Sequence, residues 1–169
     1  TECWIFDLDN TLYPESCNLF AQVDKKMTLY IAEFLRVNLD QASKIRKSYY
    51  RDYGTTMSGM MTLHDMEPSE FLEYVHDIDL SGIPSNPDLD KALSKLSGRK
   101  IIYTNGTTSH AERVLKQLSI YHHFEEIFDI ISANYVPKPF PKPYELLVES
   151  YRIKPSKTVM VEDLFRNLI

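Results

Sequence analysis

Asp7 and Asp9 stand one residue apart at the end of the apolar run Trp4-Ile5-Phe6, and Thr11 follows them. Similar polar groups recur further along. Thr104-Asn105-Gly106 closes the run KIIY, Lys138 and Lys142 lie among prolines in YVPKPFPKPY, and Glu162-Asp163 closes TVMV. Carboxylates crowded together repel and resist joint ionisation unless a cation sits among them. Oxygen-only ligands favour Mg²⁺, which keeps several waters and commonly shares its shell with phosphate. A lysine and a threonine hydroxyl beside such a cation would bind an anion. A divalent metal, anion donors and a free carboxylate together suit phosphoryl transfer. Taken singly, each motif has a plainer reading: a turn after a strand, a surface lysine, or a solvated helix start. Their order, each at a strand end, is what carries the chemistry.

The elements that must position these groups can be read from periodicity. Residues 2–7 read as a buried strand, and Lys100–Thr104, Ile127–Ser132 and Thr158–Val161 as three more. Ser109–Leu118 and Pro143–Tyr151 read as helices between them. Asn86 reads as an N-cap with Pro87 at the first helical position, Asp88 and Asp90 in the first turn, and Gly98 at the end. Strands alternating with helices predict a parallel sheet with right-handed crossovers. In such a sheet ligands bind at the carboxyl ends of the strands, so the polar groups should converge on one edge.

Between the first strand and this alternating half lies a helical block. Val23, Met27, Ile31 and Phe34 keep a helical spacing, Asp40 is the expected cap of a second helix, and Pro68 opens a third with Phe71, Leu72 and Val75 on its apolar face. The predicted organisation is therefore a core of residues 1–14 and 83–169 interrupted by an inserted helical domain, residues 15–82. The chain stops at Ile169 just after a strand. An open α/β core would continue, so the C-terminal end of the core is expected to be truncated.

Composition narrows the function classes. The 169 residues carry a net charge of −5, with 43% apolar and 25% charged residues. There is no global basic footprint for a nucleic-acid polymer or an anionic membrane. No apolar run approaches the roughly 20 residues of a membrane span. Cys3 and Cys17 have no metal or disulfide spacing, and a reducing cytoplasm is the expected setting. The five histidines show no metal-ligand motif and read as ordinary surface or core residues.

At this point the sequence resembles the haloacid dehalogenase superfamily along its whole length. DLDNT is similar to the first motif, D-x-D-x-T; YTNG to the second; PKPFPKPY to the lysine-bearing third; and VEDLFRN to the acidic fourth. The stretches DLDNTLYP, YRDYGTT, YVHDIDL, YTNGTTSHAERVL and PKPFPKPYE further resemble the bacterial pyrimidine 5′-nucleotidase branch. One departure is Leu164-Phe165 in place of the small residue that often follows Glu-Asp, which bears on local packing more than on metal binding.

The resemblance implies an α/β, Rossmann-like core with a helical cap inserted after the first strand. It implies Asp7 as a nucleophile that becomes an aspartyl-phosphate, and Asp9 as the acid for the leaving oxygen and the base for the attacking water. Mg²⁺ would be held by Asp7, the Asp9 backbone carbonyl and Asp163, with Glu162 supporting through water. Thr104 and the Asn105 region would hold phosphate oxygens. Lys138, rather than a solvent-facing Lys142, would neutralise the phosphate. Dehalogenases of the superfamily lack the second aspartate, because a halide needs no acid and a sugar alkoxide does.

In the insertion, Tyr49, Tyr50, Tyr53, Thr55 and Thr56 have two readings: a wall over the substrate, or helix packing plus a turn. The resemblance brings Tyr53, Thr55 and Thr56 forward as substrate contacts. The expected activity is Mg²⁺-dependent hydrolysis of a small phosphorylated metabolite, a pyrimidine nucleoside 5′-monophosphate first, by a monomer or homodimer. The alternatives are a phosphatase for another small phosphate such as phosphoglycolate or a sugar phosphate, a phosphomutase, or a non-catalytic binding module of the same fold.

Overall fold

The structure is a computed structural model that describes all 169 residues. It divides into two compact units, residues 1–17 with 80–169, and residues 18–79.

The first unit is built on four parallel strands: β1 (Cys3–Phe6), β2 (Arg99–Tyr103), β3 (Glu126–Phe128) and β4 (Thr158–Val161). Their order is β3-β2-β1-β4, with Cys3 paired to both Arg99 and Thr158 and Ile101 paired to Glu126. β1 and β2 are apolar because both faces of a parallel sheet are covered. Alternation then sorts their side chains. Cys3, Ile5, Ile101 and Tyr103 join Phe128, Ala133, Leu147 and Ile153 in one buried cluster. Phe6, out of step with Cys3 and Ile5, meets Phe124 edge-on at 5.8 Å.

The second unit holds four helices: α1 (Leu19–Leu35), α2 (Leu39–Tyr53), α3 (Thr56–His64) and α4 (Pro68–His76). α1 packs on α2 and α4, and α2 packs on α3. Ile31, Ala42, Met60, Phe71 and Val75 fill the interior. Sequence periodicity predicts three helices here. The fourth arises because Thr55 is extended and its side chain accepts from Ser58 N, so the chain restarts a helix at Thr56. The cap of α2 is Asn38, not Asp40. Asn38 Oδ1 accepts from Gln41 N at 2.9 Å while Asn38 N donates to Gln41 Oε1 at 3.2 Å, a reciprocal capping box that leaves Asp40 in the first turn.

Returning to the first unit, α5 (Pro87–Lys95), α6 (Thr108–Gln117) and α7 (Pro141–Ser150) connect the strands. α5 ends at Lys95, so Gly98 does not terminate it as expected. Gly98 has φ +98°, and a Cβ there would meet Glu2 O at 2.7 Å. Its glycine serves the tight entry into β2. β3 is also shorter than its apolar run predicts. After Phe128, Asp129 Oδ1 accepts from Ser132 N and Ser132 Oγ at 2.8 and 2.9 Å, which turns the chain away from the sheet. No helix of the protein is long and apolar enough to cross a membrane.

Candidate active site

Because β1 lies between β2 and β4, the carboxyl ends of three strands are adjacent, and each delivers a polar group. Asp7 follows β1 directly and is only 6% exposed. Its backbone N–H donates to Val161 O at 2.9 Å, which locks the end of β1 to the end of β4. Asn10 then takes a left-handed conformation (φ 63°), and Thr11 N and Leu12 N both return to Leu8 O. This turn brings Thr11 Oγ1 back to donate to Asp7 Oδ2 at 2.8 Å.

Lys138 occupies the centre. Its ammonium donates to Asp7 Oδ1 at 2.7 Å, to Glu162 Oε2 at 2.7 Å and to Tyr103 O at 3.1 Å, so all three N–H bonds are directed. It also stands 5.0 Å from the centre of the Tyr103 ring. Its side chain is 2% exposed. A buried lysine of this kind is stable only when paired, as it is here. Asn105 Oδ1 accepts from Lys138 N at 2.9 Å and so positions the lysine backbone. Thr104 is buried, with its Oγ1 accepting from Gly106 N at 2.9 Å. Lys142 is exposed and faces Glu145.

The carboxylates differ in environment. Burial pushes Asp7 up; Lys138 pulls it back and Glu162 pushes it up again, leaving it at about 6. Burial also raises Glu162, but the Lys138 ammonium and its hydrogen bonds outweigh that and hold it below the usual range. Asp163, more exposed, is raised by burial and by the adjoining Glu162 carboxylate. Carboxylate oxygens of Asp7, Glu162 and Asp163 all lie within 4.8 Å of one another. Three carboxylates against one ammonium leave two negative charges when all are ionised. The donors are all oxygen, so the set fits a hard dication such as Mg²⁺ in both charge and ligand chemistry.

Asp9 is set apart from this cluster. Its Oδ1 accepts from Tyr13 Oη at 2.6 Å, and His110 Nε2 lies 2.8 Å from the same oxygen. His110 is the third residue of α6, 3% exposed, and α6 is capped by Thr107, whose Oγ1 accepts from His110 N at 3.2 Å. Sequence reasoning treated His110 as an ordinary residue and Tyr13 as part of a loop. Neither belongs to a spaced motif, and the contact between His110 and Asp9 spans 101 positions. Asp129 was missed too. Its Oδ2 accepts from Thr108 N and Oγ1, both at 2.9 Å, and so fixes the start of α6 relative to the end of β3. Burial alone would raise its pKa, but the bonds from Ser132 and Thr108 bring it below the ordinary value.

The remaining flagged residues lie in the helical unit. Tyr53 is half-buried with its ring edge-on to Tyr49 at 5.9 Å. Thr55 caps α3, and Thr56 is buried with its hydroxyl donating to Arg46 O at 3.1 Å.

The sequence matches the family model for haloacid dehalogenase-like hydrolases over residues 1–168. The chain belongs to that family. A curated relative, phosphate metabolism protein 8 of Saccharomyces cerevisiae, is 29% identical over 160 residues, covering 84% of this chain and 49% of the yeast protein. The chain thus spans about half the length of that relative. Solved structures share the fold. A HAD phosphatase from Thermococcus onnurineus superposes with a TM-score of 0.59 at 19% identity, covering 95% of this chain and 76% of that one. A HAD-superfamily hydrolase of subfamily IA from Geobacter sulfurreducens gives 0.56 at 19% identity, covering 99% and 82%. L-2-haloacid dehalogenase from Xanthobacter autotrophicus gives 0.53 at 17% identity, covering 94% and 68%. The family's parallel α/β core is the one described above.

Proposed function

We propose that this hydrolase cleaves small phosphomonoesters, pyrimidine nucleoside 5′-monophosphates first among them. The observation that carries the reading is the division of labour between the two aspartates. Asp7 is buried and gripped by Lys138 and Thr11, while Asp9 is held by Tyr13 and His110. A buried carboxylate with both oxygens directed by donors is aimed rather than mobile, as a nucleophile must be. In the first step an Asp7 oxygen bonds to phosphorus, the bond from phosphorus to the ester oxygen breaks, and Asp9 delivers a proton to that oxygen. In the second, Asp9 takes a proton from water as the water oxygen attacks phosphorus, freeing inorganic phosphate and the Asp7 carboxylate.

Asp7, Asp163 and the Asp9 backbone carbonyl would hold Mg²⁺, with Glu162 in support. The bound cation would supply charge neutralisation at the phosphoryl oxygens. Lys138 balances the same charge and keeps Asp7 and Glu162 from repelling each other. Thr104 and the Asn105–Gly106 turn would receive the phosphate oxygens. The second aspartate favours an oxygen leaving group over a halide, since only the former needs a proton. The name of the yeast relative also points to phosphate chemistry. In the helical unit, Tyr53, Thr55 and Thr56 are the proposed substrate contacts, on the family resemblance alone.

The test is a phosphate-release screen with Mg²⁺ across nucleoside monophosphates, sugar phosphates and phosphoglycolate. Preference for UMP or CMP supports the nucleotide assignment, and uniform rates remove it while leaving the class. Asp9→Asn should slow alkyl phosphates by about 100-fold or more and p-nitrophenyl phosphate far less; equal losses would remove the acid role.

A further inference from the structure

We propose that Asp90, His122 and His123 form a second cation site, built for a divalent transition metal of the zinc type rather than for magnesium. Asp90 lies in the first turn of α5, and the histidines lie in the short 3₁₀ turn Tyr121–His123 that follows α6. His123 Nε2 is 2.7 Å from Asp90 Oδ1, and His122 Nε2 is 3.4 Å from the same oxygen. The three ligating atoms lie within 4.8 Å of one another. Consecutive side chains usually diverge. Here the tight turn brings the two imidazoles to a centroid separation of 4.1 Å and aims both at one carboxylate.

The spacing suits a metal. Bonds of about 2.0–2.2 Å to histidine nitrogen and carboxylate oxygen set neighbouring ligand atoms of a tetrahedral site roughly 3.3–3.6 Å apart. The His122–Asp90 distance of 3.4 Å has that spacing, and the shorter His123–Asp90 distance of 2.7 Å is a direct hydrogen bond that a cation would open. Two imidazoles and one carboxylate select Zn²⁺, Co²⁺, Ni²⁺ or Cu²⁺, whereas Mg²⁺ prefers oxygen alone. The Asp7 site has the opposite ligand chemistry, so one protein would sort two kinds of cation.

The supports are rigid. Asn86 Oδ1 accepts from Leu89 N at 3.0 Å and Asn86 O accepts from Asp90 N at 3.2 Å, fixing the first turn of α5. His123 N donates to Ile120 O and Phe124 N to Tyr121 O, fixing the 3₁₀ turn. His123 is 10% exposed, whereas Asp90 and His122 are 42% and 65% exposed at their side chains. One ligand is therefore anchored and two face water, leaving coordination positions for solvent. The histidines immediately precede β3, so they stand at the amino edge of the parallel sheet, whereas Asp7 and Glu162 follow their strands at the carboxyl edge. A cation held here is remote from the reacting phosphate. It acts as a clamp that ties α5 to the turn leading into β3.

The full chain, stripped with chelator and then held in millimolar Mg²⁺ to fill the oxygen site, is titrated with Zn²⁺ by calorimetry. Co²⁺ absorption serves as a parallel readout of nitrogen ligation. One equivalent of Zn²⁺ is expected to bind the parent and to raise its Tm. The His122→Ala/His123→Ala variant should bind at least about 100-fold more weakly and lose both the Tm rise and the Co²⁺ bands. Asp163→Asn, at the other edge, should keep the Zn²⁺ equivalent. Mg²⁺-dependent phosphate release should be unchanged in the double-histidine variant. His122→Ala alone, at the most exposed ligand, provides the same comparison if the double variant does not fold. Equal Zn²⁺ affinity in parent and variant, or no Zn²⁺ bound by the parent under Mg²⁺, overturns the proposal.

Discussion

Replacing Asp7 by asparagine should abolish hydrolysis and at the same time stabilise the metal-free protein. The carboxyl is pushed up to about 6 from an ordinary 3.8, chiefly by burial. At about 1.4 kcal/mol per pH unit, keeping it ionised in the folded protein at neutral pH costs roughly 3 kcal/mol relative to the unfolded chain. Because the folded value is the higher one, the favourable contribution is fully present below about pH 4 and is lost as pH rises through about 6. Asparagine has nearly the same shape, carries no charge and still offers an oxygen to Thr11 or Lys138. Lys138 keeps Glu162 and Tyr103 O. The variant should therefore gain little on the parent near pH 4 and up to roughly 3 kcal/mol at pH 7.5, a Tm difference of about 6–12 °C for a chain this long. Thermal and urea unfolding with chelator present, from pH 4 to 8, measure it. Added Mg²⁺ should narrow the gap, because a ligand that prefers the parent stabilises it by mass action. A variant less stable than the parent at pH 7.5 without metal, or a gap that does not change with pH, refutes the reasoning.

Lys138→Met leaves two buried carboxylates without their cation and should cost roughly 3–5 kcal/mol, read as a lower urea midpoint. Combining it with Asp7→Asn should recover part of that loss. Tyr13→Phe removes the 2.6 Å bond to Asp9; at about 1.5 kcal/mol, turnover of alkyl phosphates should fall roughly tenfold, with a smaller loss on p-nitrophenyl phosphate. In the helical unit, a Cβ at Gly59 would meet Tyr49 Cβ and Cγ at 2.5 Å. Gly59→Ala should therefore destabilise by about 1–3 kcal/mol despite the better helix propensity of alanine, and a rise in denaturation midpoint would count against the close α2–α3 packing.

What could be read beforehand follows from how each contact is encoded. A parallel sheet turns strand ends into a spatial list, so Asp7, Thr104, Lys138 and Glu162 could be gathered from periodicity and order. Contacts made within loops have no such code. The sequence TTSH around His110 announces only the start of a helix; that its third residue reaches Asp9 depends on the turn after β1 meeting the start of α6 in space. The resemblance brought Asn105 forward as a phosphate contact, and the structure adds a bond that no motif announced, from Lys138 N to its Oδ1. Asp129 sits inside an apolar run that reads as continuous strand, and only its bonds to Thr108 and Ser132 show why the strand stops. Gly54-Thr55-Thr56 reads as the break that ends α2, but the helix restarting at Thr56 goes unannounced, since its cap is a local hydrogen bond that composition does not reveal.

The strand order also bears on how the protein is made. β1 leaves the ribosome before either of its neighbours, β2 and β4, and Lys138 follows Asp7 by 131 positions. At about 5–20 residues per second, the apolar CWIF segment waits roughly ten to thirty seconds for its last partner strand. During the last part of that interval β2 is already available to it, and only the edge that β4 will cover lacks a partner. A polypeptide interrupted before β4 would carry Asp7, the proposed nucleophile, without Glu162 or Asp163, and so with one of the three carboxylates of the proposed cation site.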